Sequence, residues 1–259
     1  MPDPDPDLQL LIDAAIAAGD EARRFFDGPN QSWEKPDGAG PVTEADLAVD
    51  ALLAGRLQAA RPSYGWLSEE TEDNTDRLDR SRVFVVDPID GTRSFKEGAR
   101  TWAHSLAVVE DGIAVAGVVF LPMLGLMFSA AQGQGAYLNG DPVITAQRDR
   151  LDDAEFLAAR PALDGHHWLA AAPGFRLAYR PSLAYRMALV AQGQFDGMIT
   201  LRRAWEWDIA AGDILQREAG AVCSDRTGAP LRFNNPVPKL DGVVGTNPAL
   251  HRQVINALA

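Results

Sequence analysis

The chain has 259 residues, of which 46% are hydrophobic and 23% charged, a composition that supports a folded core and argues against disorder. The formal net charge of -12 disfavours nucleic acid as a partner, because an acidic surface repels phosphate backbones. The single cysteine, Cys223, excludes an internal disulfide. Neither a signal-peptide pattern nor an apolar stretch of membrane-spanning length is found, so we expect a cytoplasmic protein without membrane contact.

The first part of the chain is predicted to contain two helices. Apolar residues recur at helical spacing from Leu8 to Phe26. Thr43 is a candidate N-cap for a second helix over residues 44–60. Residues 64–74 then predict a short strand that continues into an acidic loop.

An antiparallel sheet is predicted to follow these helices. Residues 82–88 are apolar enough for a buried strand. Residues 104–137 alternate β-rich runs with turns, which predicts an antiparallel meander. The Asn139-Gly140 pair adds a strong hairpin signal.

Past about residue 150 the pattern changes to alternating helices and strands. The predicted elements are helices at 182–193, 207–220 and 247–258 and short strands at 195–201 and 242–246. We therefore predict an α+β part over residues 1–150 and an α/β part over 151–259, packed as one compact unit.

Two carboxylates converge at the end of the buried strand. Asp87 ends the strand, and Asp90 returns a second carboxylate three residues later. Carboxylates that converge repel each other unless a cation lies between them. Together with the carbonyl of Ile89 they form a set of hard oxygen ligands, which suits Mg²⁺ rather than zinc. An ordinary turn with a capping aspartate is the alternative.

Further site residues lie at other element ends. Glu69 follows a short strand, and Asp208 lies at a helix start, so both can join the same cluster. Gly91 permits an unusual backbone angle, and a short helical turn beginning at Thr92 would present free N–H groups to a phosphate. Metal ligands opposite N–H donors indicate phosphoryl transfer.

Five ordered segments carry a family resemblance. Residues 87–95 (DPIDGTRSF) and 207–212 (WDIAAG) resemble the paired signature of the inositol monophosphatase superfamily. Residues 42–46 and 68–70 resemble its upstream motifs, and residues 135–143 resemble its hairpin segment. The resemblance implies a layered αβαβα sandwich with the site between its two parts. It also implies a Mg²⁺-dependent, lithium-sensitive phosphomonoesterase that uses metal-activated water.

The same resemblance implies two to three Mg²⁺ ions. Glu69, Asp87 and the Ile89 carbonyl match the ligands of a first ion, and Asp87, Asp90 and Asp208 match those of a second. A third, looser ion would share Glu69.

Catalytic and phosphate-binding roles follow by position. Asp90, Gly91 and Thr92 match the phosphate-binding turn, and Asp46 matches a residue that hydrogen-bonds the catalytic threonine. The catalytic residues implied in this way are Glu69, Thr92, Asp46 and Lys35.

The resemblance leaves the substrate open among small phosphorylated metabolites. An inositol phosphate is the first choice, and 3′-phosphoadenosine 5′-phosphate and histidinol phosphate are alternatives. Inositol-specific members carry an acidic residue some seven positions before the second-motif aspartate, where this chain has the residues 200–203, TLRR. Thr200, Arg202 and Arg203 are candidate substrate contacts, because a guanidinium would bind a second phosphate, although both arginines being solvated is the alternative. A homodimer is also expected, and a regulatory binding protein on the same fold is the alternative from another class.

Overall fold

The computed structural model describes residues 5–35 and 40–259. The helices in these ranges are α1 (Pro6–Phe26), α2 (Glu44–Ala60), α3 (Thr92–Lys96), α4 (Leu183–Ala191), α5 (Glu206–Glu218) and α6 (Pro248–Ala257). Short 3₁₀ helices occupy Thr75–Asp79, Arg160–Leu163 and Gly165–His167. No helix among the described residues is long and apolar enough to cross a membrane.

Most strands belong to two sheets. The first nine strands are β1 (Ser32–Glu34), β2 (Pro41–Thr43), β3 (Gly65–Ser68), β4 (Arg82–Asp90), β5 (Ala103–Glu110), β6 (Ile113–Leu121), β7 (Leu126–Ala131), β8 (Gly135–Leu138) and β9 (Asp141–Val143). The others are β10 (Glu155–Leu157), β11 (Arg176–Ala178), β12 (Gly197–Thr200), β13 (Ala204–Trp205), β14 (Val222–Ser224), β15 (Lys239–Leu240) and β16 (Val243–Thr246).

The larger sheet has seven strands in the order β3-β4-β5-β6-β7-β8-β9. From β4 to β9 each strand pairs antiparallel with the next, which confirms the predicted meander. The separately predicted strand before the acidic loop, β3, joins this sheet at its edge and runs parallel to β4. The acidic loop and 3₁₀ helix between these two strands carry the chain back along the sheet, so β4 starts from the same end as β3.

The smaller sheet has five strands in the order β11-β10-β12-β16-β14. β10 runs parallel to β11 and β12, whereas β16 runs antiparallel to β12 and β14. The strands of the two sheets come from residues 65–143 and 155–246. A division into two parts at residue 150 stays a prediction.

Helices and sheets pack against each other in layers through three apolar cores, which confirms the expected αβαβα sandwich. α1 and α2 cover one face of the larger sheet through residues such as Leu11 and Leu53. α4 and α5 fill the space between the sheets, and α6 covers the outer face of the smaller sheet. Burial of these apolar faces removes them from water, which is the main driving force for the layered arrangement.

Helix starts follow the capping residues of the sequence. The Asp5 side chain accepts hydrogen bonds from the backbone N–H groups of Asp7 and Leu8 and so caps α1. Thr43 caps α2 as predicted, in a capping box completed by Asp46. The second cap matters for the site, because Asp46 also faces the strand end that carries the convergent aspartates.

Gly117 lets α5 approach the larger sheet. A Cβ at this position of β6 would lie 2.5 Å from the Ile214 side chain and 3.0 Å from the Ala211 backbone. The helix that carries Asp208 is therefore seated on a strand position without a side chain.

We expect Gly117→Ala to lower the free energy of unfolding by about 1–3 kcal/mol, because a methyl group would be forced against backbone atoms in a dense core. The matched control is Gly55→Ala in α2, where a Cβ meets nothing within 4 Å. That change should raise stability by about 0.5–1 kcal/mol through helix propensity. Urea unfolding of both variants measures the difference, and equal midpoints would contradict the close approach of α5.

Candidate active site

An acidic cluster lies where three elements meet. One carboxylate oxygen from each of Glu69, Asp87 and Asp208 lies within 4.8 Å of the others. Glu69 follows β3, Asp87 lies in β4, and Asp208 lies in the first turn of α5. The structure thus brings together acidic residues from separate predicted element ends. The Asp208 side chain does not cap α5, which begins after Trp205 without a side-chain cap.

The charges of this cluster are poorly compensated. Burial raises the pKa of Asp87 well above its usual range, and the charges of Glu69, Asp90 and Asp208 raise it further. Burial and the same kind of repulsion, from Asp90 and Glu69, raise the pKa of Asp208. Since the neighbouring carboxylates destabilise the ionised forms of Asp87 and Asp208, the cluster attracts a cation.

The ligand set indicates which cation fits. The three-residue group offers only carboxylate oxygens, which hard divalent cations such as Mg²⁺ prefer. It contains neither histidine nor cysteine, the residues typical of structural zinc sites. Glu69, Asp87 and Asp208 therefore fit a hard divalent cation.

A β-bulge brings Asp90 to the same side of the sheet as Asp87. In a regular strand, residues three apart point to opposite faces. Here Asp87 pairs with Ser105 and Asp90 pairs with Ala103, so β4 contains one more residue than β5 in this interval. Pro88 lies inside the interval and has no backbone N–H to donate to the ladder.

The Asp90 carboxylate is held by α4. Its Oδ2 accepts hydrogen bonds of 2.7 Å from the Ser182 hydroxyl and from the Ala184 N–H. Burial raises the pKa of Asp90 to about 6, although the bonds from Ser182 and Ala184 oppose the shift. A ligand role for Asp90 stays a prediction, as does one for the Ile89 carbonyl.

The turn after the strand has the backbone that the sequence predicts. Gly91 adopts φ 102°, in the left-handed region where side chains are disfavoured, and α3 begins at Thr92. The Thr92 hydroxyl lies 3.0 Å from Asp46 Oδ1 and 3.2 Å from the Ile89 carbonyl. No side chain caps the start of α3, so its first N–H groups are not occupied by a side-chain acceptor.

Asp46 joins this turn to α2. Its Oδ2 accepts hydrogen bonds from the Thr43 N–H (2.8 Å) and hydroxyl (2.6 Å), while Oδ1 faces Thr92. Burial raises the pKa of Asp46, whereas the bonds from Thr43 and Thr92 lower it. The carboxylate is therefore fixed on both sides.

Lys35 also lies at the cluster. Its ammonium group contacts Glu69 at 2.8 Å and Glu70 at 2.7 Å. Burial by itself lowers the pKa of Lys35, but the two carboxylates outweigh it and raise the pKa. Burial raises the pKa of Glu70 to about 7, against the hydrogen bond from Lys35. Lys35, which directly follows β1, thus lies beside a cluster carboxylate.

Two supporting residues were missed by sequence reasoning. Asp50 lies one turn after Asp46 on α2 and accepts hydrogen bonds from the Ser68 hydroxyl (2.5 Å) and the Thr71 hydroxyl (2.6 Å). These bonds hold the segment that contains Glu69. Ser182 caps α4 from φ 66°, a backbone strained for serine, while it holds Asp90. The sequence did contain a signal for each of them. Asp50 lies four residues after Asp46 on one helix face, and Ser182 stands before an apolar run, where an N-cap is expected.

The residues predicted to contact the substrate line two adjoining cavities. A cavity of about 310 Å³ is lined by the acidic cluster, Thr92, Arg202 and Arg203. A second, of about 520 Å³, is lined by Thr200 and again by Arg202. The structure therefore places Arg202 at both cavities, Arg203 at the first and Thr200 at the second.

Comparison with family models gives one match over nearly the whole chain. Residues 3–259 match the model described as the inositol monophosphatase family. Among solved structures, the crystal structure of the extragenic suppressor protein suhB from Bartonella henselae superposes with a TM-score of 0.81 at 28% identity, covering 97% of this chain and 98% of that one.

Curated relatives of similar identity have different named activities. The chain is 32% identical to an inositol-1-monophosphatase of Mesorhizobium japonicum, covering 97% of this chain and 95% of the relative. It is 34% identical to the 3′(2′),5′-bisphosphate nucleotidase CysQ of Aggregatibacter actinomycetemcomitans, covering 88% and 87%. It is 32% identical to a histidinol-phosphatase of Mycobacterium tuberculosis, covering 97% of each.

Proposed function

Since the chain belongs to the inositol monophosphatase family and is a phosphatase of that family, we propose that it hydrolyses a small soluble phosphomonoester with Mg²⁺ as cofactor. The observation that carries the proposal is the cluster of Glu69, Asp87 and Asp208 beside the turn at Gly91 and Thr92. The acidic cluster and the start of α3, which no side chain caps, then line one small cavity, which suits a phosphate dianion.

The cofactor fits the residues present. Glu69, Asp87 and Asp208 would hold it, with Asp90 and the Ile89 carbonyl as further ligands, and two to three Mg²⁺ ions are proposed. When bound, Mg²⁺ would supply Lewis acidity and lower the pKa of a neighbouring water. The protein groups described next orient the reactants around it.

Thr92 is proposed to orient the attacking water. Its hydroxyl has one proton and two nearby acceptors, and the Asp46 carboxylate is the stronger acceptor because it is charged. With the proton directed to Asp46, the lone pairs of the Thr92 oxygen are left to accept a hydrogen bond from the water. Glu69 would accept the other hydrogen bond from that water, and Lys35 fixes one Glu69 oxygen.

The phosphate is proposed to bind at the turn from Asp90 to Thr92. The N–H groups at the start of α3 would donate to its equatorial oxygens, over which negative charge is spread in the transition state. Gly91 allows the left-handed turn that aims these groups, because other residues are strained at its φ of 102°.

We expect Asp46→Asn to lower kcat by about 10–100-fold with little change in KM, because the amide is a weaker acceptor for the Thr92 proton. The matched variant is Thr43→Ala, which removes the capping hydroxyl on the other side of Asp46. It should cost about 1 kcal/mol of stability and leave kcat within a few-fold. Steady-state kinetics and urea unfolding of both variants separate the two effects. A larger kcat loss in Thr43→Ala than in Asp46→Asn would refute the role of Asp46.

Substrate identity is proposed at a finer level. An inositol phosphate is the first candidate, in line with the name of the Mesorhizobium japonicum relative. A 3′,5′-bisphosphate nucleotide is the second, and the position of Arg202 at both cavities favours it. Histidinol phosphate is the third, in line with the Mycobacterium tuberculosis relative.

A panel of phosphomonoesters tests the proposal directly. Inositol 1-phosphate, adenosine 3′,5′-bisphosphate and histidinol phosphate are incubated with the protein and Mg²⁺, and released phosphate is measured. Turnover of at least one is expected. If none is hydrolysed, capture of a partner protein tests the alternative of a regulatory binding protein. We also propose that the protein is a homodimer in the cytoplasm. Analytical ultracentrifugation measures its oligomeric state.

A further inference from the structure

Three arginines surround the cavity that adjoins the acidic cluster. Arg93 lies in α3, Arg186 lies in α4, and Arg202 follows β12. All three line the cavity of about 520 Å³, which we call the arginine cavity. Gly91 lines both this cavity and the one at the acidic cluster, so the two cavities adjoin at the turn where phosphate binding is proposed.

Arg186 is the buried member of the group. Only 9% of its surface is exposed. Its Nε donates to the Arg180 carbonyl, and its guanidinium carbon lies 4.6 Å from the centre of the Tyr179 ring. Burying a guanidinium is costly unless an anion pairs with it. Nevertheless, among the described ion pairs none involves Arg93, Arg186 or Arg202.

The nearby carboxylates do not remove the need for an anion. Asp90 attracts Arg186 electrostatically, but its Oδ2 is held by Ser182 and Ala184, and no ion pair within 4 Å forms. Glu97 also lines the cavity and is exposed to solvent. Burial lowers the pKa of Arg186, Tyr179 and Asp90 oppose that shift, and the positive charge of Arg202 lowers the pKa again. Arg186 and Arg202 are therefore close enough to repel each other.

We propose that the arginine cavity binds a second oxyanion group of the substrate, a phosphate or a carboxylate, while the phosphoester lies at the Gly91–Thr92 turn. This inference rests on the proposed function. Cations bound at the acidic cluster would compensate its carboxylates, and the arginines would then act on the substrate alone. The planar guanidinium of Arg186 would make two parallel hydrogen bonds to an oxyanion, and the Thr200 hydroxyl at the cavity wall adds a donor. The arginine cavity therefore favours phosphomonoesters that carry a second anionic group, the class of the second candidate above, over an inositol monophosphate.

Two matched substrate pairs test the proposal. Adenosine 3′,5′-bisphosphate and adenosine 3′-monophosphate differ only in a second phosphate. 2-Phosphoglycerate and glycerol 2-phosphate differ only in a carboxylate. The measured quantity is the ratio of kcat/KM within each pair. A preference for the member with the second anionic group identifies a phosphate site in the first pair and a carboxylate site in the second pair.

Arg186→Gln is expected to reduce the preference by about 10–100-fold, mainly through KM of the substrate with two anionic groups. Arg186→Lys should restore part of it, because the charge returns without the paired hydrogen bonds. Arg93→Gln with Arg202→Gln, two exposed positions, should reduce the preference even if Arg186→Gln fails to fold. The control is Arg150→Gln, an exposed arginine paired with Asp152, which should leave the ratio unchanged.

A binding measurement separates this inference from the proposed function. Calorimetry of the adenosine pair with Ca²⁺ in place of Mg²⁺ gives the ratio of dissociation constants without turnover. If no ester is hydrolysed yet the Kd ratio depends on the arginines, the proposed function fails and the anion site stands. If the wild-type protein shows no preference within either pair, or if the arginine variants leave every ratio unchanged, the arginine cavity does not bind a second anion.

Discussion

Replacing Asp87 with asparagine is expected to lower kcat/KM by about a thousandfold or more while the fold is retained, because several kcal/mol of cation-dependent stabilisation are lost. Asp87 is buried, and its carboxylate lies within 4.8 Å of ligand oxygens on Glu69 and Asp208. Asparagine has the same shape and can still accept the hydrogen bond from the Ile89 N–H. The change therefore removes the charge and little else.

The same substitution is expected to stabilise the metal-free protein. Burial and the neighbouring carboxylates raise the pKa of Asp87 above its unfolded value of about 3.9. The folded state then binds more protons than the unfolded state, so stability falls as pH rises from the unfolded pKa through the folded one. Asparagine does not titrate and avoids this loss.

Urea unfolding in EDTA and steady-state kinetics in Mg²⁺ test both effects of Asp87→Asn. At pH 8 the variant should unfold at a higher urea concentration than the wild type, and the difference should shrink toward pH 4. Asp141→Asn, at an exposed position, is the control and should change neither measurement. Activity within a few-fold of the wild type would exclude Asp87 as a shared cation ligand.

Removing divalent cations is expected to abolish activity. The cluster of Glu69, Asp87 and Asp208 offers only oxygen ligands, so excess EDTA should reduce phosphate release to background and added Mg²⁺ should restore it. A zinc-selective chelator should have little effect. Lithium should inhibit in competition with Mg²⁺. Full activity in excess EDTA would contradict the metal mechanism.

A second measurement follows the cation without turnover. Mg²⁺ binds the folded protein and relieves repulsion among the carboxylates, so it should raise the unfolding midpoint of EDTA-treated protein. At 100 times its dissociation constant the gain is about 2.7 kcal/mol for a single site. The gain should be smaller for Asp87→Asn. An identical Mg²⁺ effect in the two proteins would argue against binding at this cluster.

Local sequence determined the elements that carry the acidic residues. Thr43 before an apolar run fixed the start of α2, and a glycine after Asp90 fixed the turn into α3, because capping and backbone freedom depend on neighbouring residues. The layered sandwich was implied by the family resemblance that the motifs carry.

Tertiary structure alone decided the surroundings of these residues. Ser182 meets Asp90 across 92 positions, and Arg186 reaches the site from the same helix. Local sequence patterns do not predict contacts between residues so far apart in the chain, because these contacts depend on how the layers pack. The parallel pairing of β3 with β4 was hidden for the same reason: strand propensity does not specify the direction of a partner. The sequence by itself therefore identified the acidic residues of the cluster and the turn at Gly91. Packing between the layers decided which arginines line the cavity beside that cluster.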